Sequence, residues 1–81
     1  MEKTVSVQYF ALLREERGES QEVLTTKAEN AGQLYDELRS SHGFSLSQNN
    51  MTVAVNENFS NWDTPVNQDD VIVFIPPVAG G

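Results

Sequence analysis

Val5, Val7 and Tyr9 alternate with Ser6 and Gln8, the period of two that marks a strand with one face buried. "ALLREERG" follows and predicts a short helix from Ala11 to Arg17. Leu12 and Leu13 supply its apolar surface and Gly18 is a natural stop. "QEVLTT", Gln21 to Thr26, predicts a second strand. In "AGQLYDELRSSHG" the residues Ala31, Leu34, Tyr35 and Leu38 fall at i, i+3, i+4 and i+7, one apolar stripe along a longer helix. Asn30 stands at the capping position, with Gln33 three residues on as in a capping box. Gly43 suits the left-handed residue that ends the helix, and His42 beside it reads as a helix-end cation. "SLSQNN" is a polar connection with room for one helical turn. In "MTVAVN" the residues Met51, Val53 and Val55 share a face. "NENFSNWDTPVNQDD" has no period and is rich in turn residues, with room for a short strand around Phe59. Asp69 and Asp70 read as a turn with solvated carboxylates. "VIVFI", Val71 to Ile75, is apolar throughout, which suits a central strand or one whose second face is covered by something else. If Ile72 and Phe74 face the core, Val73 and Ile75 point the opposite way.

The order is strand, short helix, strand, long helix, strand, short strand, strand. Its natural packing is an α+β sandwich: one mixed sheet of four to five strands with the main helix across one face. This is the pattern of a β-grasp, ubiquitin-like domain, expected over residues 1–75. Residues 76–81 then form an extended tail ending in Gly-Gly.

At 81 residues the chain makes one domain near the lower limit for an unassisted core. It has no cysteine, which excludes disulfides, thiolate metal sites and a cysteine nucleophile. No apolar run approaches membrane-spanning length and the start alternates instead of forming an apolar block, so a cytoplasmic protein is expected. The net charge of −7 argues against nucleic acid; it fits either steering towards a basic partner or simple solubility. Glycine-rich phosphate loops, His-Cys-carboxylate clusters and nucleophile elbows are missing from the sequence. Any chemistry falls to the end of the chain, "FIPPVAGG".

Pro76 and Pro77 have no N–H and a fixed φ, so they cannot extend a ladder past Ile75 and favour extended geometry. From Pro76 to Gly81 the tail spans about 20 Å at ~3.3 Å per residue. Ala79, Gly80 and Gly81 have minimal side chains. Such a tail threads a narrow channel and delivers the Gly81 carboxylate to a reaction site on another protein. Glycine is needed for width and for backbone angles closed to other residues.

"FIPPVAGG", preceded by "DDVIV", resembles the C-terminal signature of the small subunit of molybdopterin synthase, the sulfur carrier of molybdenum cofactor synthesis. "YFALLREERG" is similar to that family's Phe-Ala-x-Leu-Arg-Glu segment, and "VAVNENF" to its Val-Asn strand end. Asp69 departs from the pattern, which often has glycine before the aspartate.

The resemblance implies a mechanism. A ubiquitin-activating-like adenylyltransferase uses ATP to adenylate Gly81, and sulfur replaces AMP to give a thiocarboxylate. The tail, Pro76, Pro77, Val78, Ala79 and Gly80, enters the active site of the large synthase subunit. There sulfur passes to cyclic pyranopterin monophosphate to build the dithiolene. This chain would bind no cofactor and would be a non-catalytic subunit of a complex of two small and two large subunits. Phe10, Phe59 and Ile75 would form an apolar partner-binding surface near the tail, with Arg14 at its rim. Phe10 and Phe59 also fit a second role, plugging the ends of a small core. The rival functions are a sulfur carrier for thiamine or another product, a ubiquitin-like modifier conjugated to lysines, and an interaction module with an inert tail.

Overall fold

The computed structural model describes residues 2–77. Strand β1 is Lys3–Tyr9, helix α1 Ala11–Arg17, β2 Gln21–Thr26, helix α2 Ala31–His42, β3 Thr52–Val55, β4 Asn58–Ser60 and β5 Val71–Ile75. A single 3-10 turn at Gln48–Asn50 precedes β3. The five strands form one sheet in the order β2-β1-β5-β3-β4. β1 and β5 run parallel at its centre, and the other pairs are antiparallel. This is the expected β-grasp, with all five strands present.

The period-two strands and the helical stripe meet as the sequence requires. Val5, Val7, Ile72 and Phe74 on the sheet and Ala31, Leu34 and Tyr35 on α2 are at most 1% exposed. The Tyr35 and Phe74 rings lie 5.2 Å apart at 60°, joining helix to sheet. In α1 only Leu13 enters the core; Leu12 is 40% exposed.

Both helix ends follow their residues. The Asn30 side chain accepts the Gln33 N–H at 2.8 Å. The Gln33 side chain reaches back to the N–H of Glu29 at 2.9 Å, one residue before the cap, so the box is widened by a residue. Gly43 takes φ 71° and its N–H bonds to the Arg39 carbonyl. The loop after β4 closes the start of α2: the Thr64 and Trp62 carbonyls accept the N–H groups of Ala31 and Gly32 at 3.0 and 2.9 Å. A Cβ on Gly32 would come within 3.3 Å of the Trp62 carbonyl, which explains a residue without side chain there. Trp62 also stacks on Phe74, with centroids 6.1 Å apart and planes at 12°.

One expectation is corrected. Asp69 is exposed, but Asp70 is not a solvated carboxylate; it is 8% exposed. Its two oxygens accept from the Asn56 side-chain amide and the Asn67 N–H, each at 2.8 Å. A buried carboxylate needs such partners, and here they tie the turn before β5 to the β3–β4 hairpin. At the other end of β5, Pro76 is buried and Pro77 exposed, so packing runs one residue into the segment expected to be tail.

Candidate functional site

The helix covers one face of the sheet and leaves the other open. On that open face the register sets Val73 of the central strand between Gln8 of β1 and Ala54 of β3, and Ala54 opposite Phe59 of β4. Ile75 lies opposite Thr52, and Val71 beside Ser6, which faces Val23 of β2. Val71, Val73 and Ile75 are half-buried, whereas their neighbours Ile72 and Phe74 are fully buried towards α2. The alternation expected for β5 is therefore present.

Phe59 is 79% exposed, so it is no core plug. It stands on a short edge strand carried by a two-residue turn, Asn56 and Glu57, with φ of 52° and 73°. Positive φ at both central residues is a type I′ hairpin, whose twist suits the flanking strands. The Asn56 side chain stiffens this hairpin by accepting the Val71 N–H at 2.9 Å while donating to Asp70. Phe10 is 44% exposed. It follows Tyr9, which is paired with Phe74, so the alternation of β1 continues onto the open face beside the root of the C-terminal segment. Arg14 is exposed on α1. The structure thus places Phe59 and Ile75 on one face and Phe10 at its tail-side end, with Arg14 outside the sheet. Val78, Ala79, Gly80 and Gly81, and with them the tail-threading expectation, lie outside the described residues.

The sequence reading missed how charge is distributed. The chain has 17 charged residues, 12 acidic and 5 basic. The charged strand residues, Lys3 and Glu22, both share a face with the core side of β1 and β2. The open face carries Thr4, Ser6, Gln8, Val23, Val71, Val73, Ile75, Ala54 and Phe59 without one charged side chain at its paired positions. In a chain of net charge −7 this uncharged strand surface, bordered by Glu57 of the β3–β4 turn, is dockable. The signal was present as the parity of Gln8, Ala54 and Phe59, but it needed the register to be read.

A second cluster lies on the helix side. Glu22 accepts from Arg17 at 2.9 and 3.0 Å and from the Tyr9 hydroxyl at 2.5 Å. Hydrogen bonds from Arg17 hold the Glu22 carboxyl below the usual range, and burial pushes the Tyr9 phenol up, with Glu22 adding to it. His42, in the last turn of α2, comes within 3.7 Å of the same carboxylate. This cluster pins the ends of both helices to β2. Among the described residues no group of three or more His, Cys, Asp or Glu could hold a metal, and no helix is long and apolar enough to cross a membrane.

A mixed five-stranded sheet, one helix laid across it and a proline-led segment leaving its central strand define a ubiquitin-like β-grasp protein. The chain belongs to the ThiS family, whose sequence profile matches residues 7–81. Members of this family are ubiquitin-like sulfur carriers and are not themselves catalysts. Among solved structures the chain is similar to SAMP1 from Haloferax volcanii, at 20% identity over 96% of this chain and 99% of that one, with a TM-score of 0.79. It is similar at 29% identity to a chain in the complex of subunits 1 and 2 of molybdopterin-converting factor from Helicobacter pylori, covering 96% and 99% with a TM-score of 0.63. A third likeness, at 21% identity, is to a chain of the BexX/CysO complex from Amycolatopsis orientalis, covering 95% and 99% with a TM-score of 0.68. No curated relative matches the sequence significantly.

Proposed function

We propose that this chain is the sulfur-carrying small subunit of molybdopterin synthase. The observation that carries the reading is the "FIPPVAGG" segment following the central strand, whose open face has no charged strand residue. The H. pylori complex, at 29% identity, supports the choice of pathway.

The chain's residues divide the work. The open face, with Phe59, Ile75 and Phe10, docks first on the activating adenylyltransferase and then on the large subunit. Pro76 and Pro77 aim the chain away from the sheet, because neither can donate to a ladder. Ala79, Gly80 and Gly81 keep the end of the segment thin enough for a channel. The Gly81 carboxylate attacks the α-phosphate of ATP held by the activating partner, and pyrophosphate leaves. Sulfide-level sulfur from a donor then attacks the same acyl carbon, and AMP leaves. The resulting thiocarboxylate enters the large subunit and gives its sulfur to cyclic pyranopterin monophosphate, and water supplies the oxygen with which Gly81 returns as a carboxylate. Domain and tail divide at Ile75–Pro76 in this scheme.

The second reading, a protein modifier joined to lysines through the same activated glycine, is favoured by the likeness to SAMP1. Extension decides whether Gly81 is used as proposed. One residue added after Gly81 should abolish pterin conversion by the large subunit and leave the melting temperature unchanged. Conversion at the original rate with the extended chain would refute it. Co-purification with a pterin-binding large subunit separates the molybdopterin pathway from the modifier and thiamine readings.

A further inference from the structure

We infer that β2 is a self-association edge: two copies of this chain pair their β2 strands antiparallel about a two-fold axis at Val23, joining their sheets into one. The dimer is independent of the use made of Gly81.

An edge strand presents unpaired N–H and C=O groups, and folds blunt it by shortness, proline, lysine or a bulge. The edges of this sheet are β2 and β4. β4 is blunted, being only three residues long. β2 is not. It has six residues, no proline and no lysine, and it pairs with β1 without a bulge from Lys3↔Thr26 to Gln8↔Gln21. The Tyr9 N–H bonds to the Ser20 carbonyl at 2.9 Å, one step beyond the Gln8↔Gln21 pair. Antiparallel bonding alternates, so the even-numbered residues of β2 turn their backbone groups to β1. Gln21, Val23 and Thr25 turn theirs outward. Their side chains are exposed on the open face, and Val23 is 70% exposed. Val23 lies at the opposite edge of the sheet from Phe59, so docking through Phe59, Ile75 and Phe10 leaves it unused.

A second copy fits this edge because β2 is complementary to itself. With Val23 on the axis, Val23 meets Val23 of the second copy and Gln21 meets its Thr25. Each such pair exchanges both of its N–H···O bonds. No charge is carried at these positions, whereas opposite charges flank them. Glu19 and Lys27 stand at equal distances either side of Val23 in the sequence, so each Glu19 is set against Lys27 of the second copy. Both are free to respond. Glu19 is 51% exposed and has only a 3.8 Å contact with Arg17. Lys27 is exposed and makes no ion pair among the described residues. A shift of two residues in either direction takes Val23 off the axis and breaks both ion pairs. Two chains of net charge −7 repel over most of their surfaces, which favours the one register where opposite charges meet.

The contact closes on itself. Each copy uses its only long edge, so assembly stops at two. A two-fold axis perpendicular to the sheet keeps both open faces on one side, and β1 separates β2 from Val73 and Ile75. The dimer therefore leaves the proposed docking surface uncovered. Two short edges bury less than the ~1,600 Å² of a standard interface, so the dimer dissociates on dilution.

Sedimentation equilibrium of the full chain tests this, in ~0.15 M salt from ~10 μM to ~1 mM. The mass should rise from 9.0 kDa towards twice that value and no further. Amide exchange should slow with concentration at Val23 and Thr25 and stay unchanged at Phe59. Val23→Lys places like charges face to face on the axis and should weaken the dimer by about tenfold or more. Glu19→Lys and Lys27→Glu should each weaken it, and the two together should restore it. A mass of 9.0 kDa at every concentration, or species larger than a dimer, would overturn the proposal. So would a dimer undiminished by Val23→Lys, protection at Phe59 in place of Val23, or a charge-swapped double variant that does not recover.

Discussion

Glu57 and Asp69 sit at φ of 73° and 70°, in a region where a Cβ is strained. The two positions differ in cost. Asp bonds locally and tolerates this conformation, whereas Glu does not. Glycine relieves the strain but loses more freedom on folding, about 0.5–1 kcal/mol. Glu57→Gly, which creates the Asn-Gly pair a type I′ turn favours, should therefore stabilise the protein by about 0.5–1 kcal/mol. Asp69→Gly should change stability less, and thermal unfolding of both variants checks the order. The departure at Asp69 noted in the sequence thus leaves the turn conformation intact. Glu22 makes a second prediction. Its folded-state carboxyl is held below the ordinary range by Arg17, so at mildly acid pH the unfolded chain binds the extra proton. The stabilisation is full above the unfolded value of ~4.3 and is lost as pH falls through the lower folded value. Glu22→Gln should cost about 1–3 kcal/mol at pH 7. Denaturant titrations from pH 7 to 2 should show the gap from wild type closing below pH ~4.

The strands and α2 were legible because each writes its period locally: Val5-Val7-Tyr9 for a strand, Ala31-Leu34-Tyr35-Leu38 for a helix. The caps Asn30 and Gly43 were legible for the same reason. The stretch from Asn56 to Asp70 was not, because its order comes from distant partners. Trp62 is placed by Gly32 and Phe74, and Asp70 by Asn56, none of which leaves a local pattern. For the site, the outward set of Val73, Ile75 and Phe59 could be read, but the absence of charged strand residues beside it required pairing β3 with β4 and β5. The β3–β4 hairpin carries the element-scale prediction. Because Phe59 is 79% exposed, Phe59→Ala should alter stability by less than about 0.5 kcal/mol. If the open face docks partners as proposed, the same change should weaken large-subunit affinity by about 1 kcal/mol or more. Calorimetric unfolding and binding on the same variant separate the effects. A large loss of stability with affinity preserved would remove Phe59 from the interface.

On the scale of the whole molecule, the face beside the C-terminal segment is built from uncharged strand residues. No strand residue on the open face is charged, although Glu57 in the β3–β4 turn borders it beside Gln8, Val71 and Val73, and that face includes the strand from which the C-terminal segment leaves. The arrangement lets a partner cover the strand residues of the face without desolvating a charged group among them while it engages the segment. Everything distinctive in the proposed function then falls on one atom group, the Gly81 carboxylate. The intact mass of the chain, recovered from cells that also make its activating enzyme and sulfur donor, tests this most directly. Replacement of one oxygen by sulfur raises the mass by about 16 Da, and fragmentation should place the gain on Gly81. A chain recovered only at its unmodified mass, or with the gain on any other residue, would contradict the account.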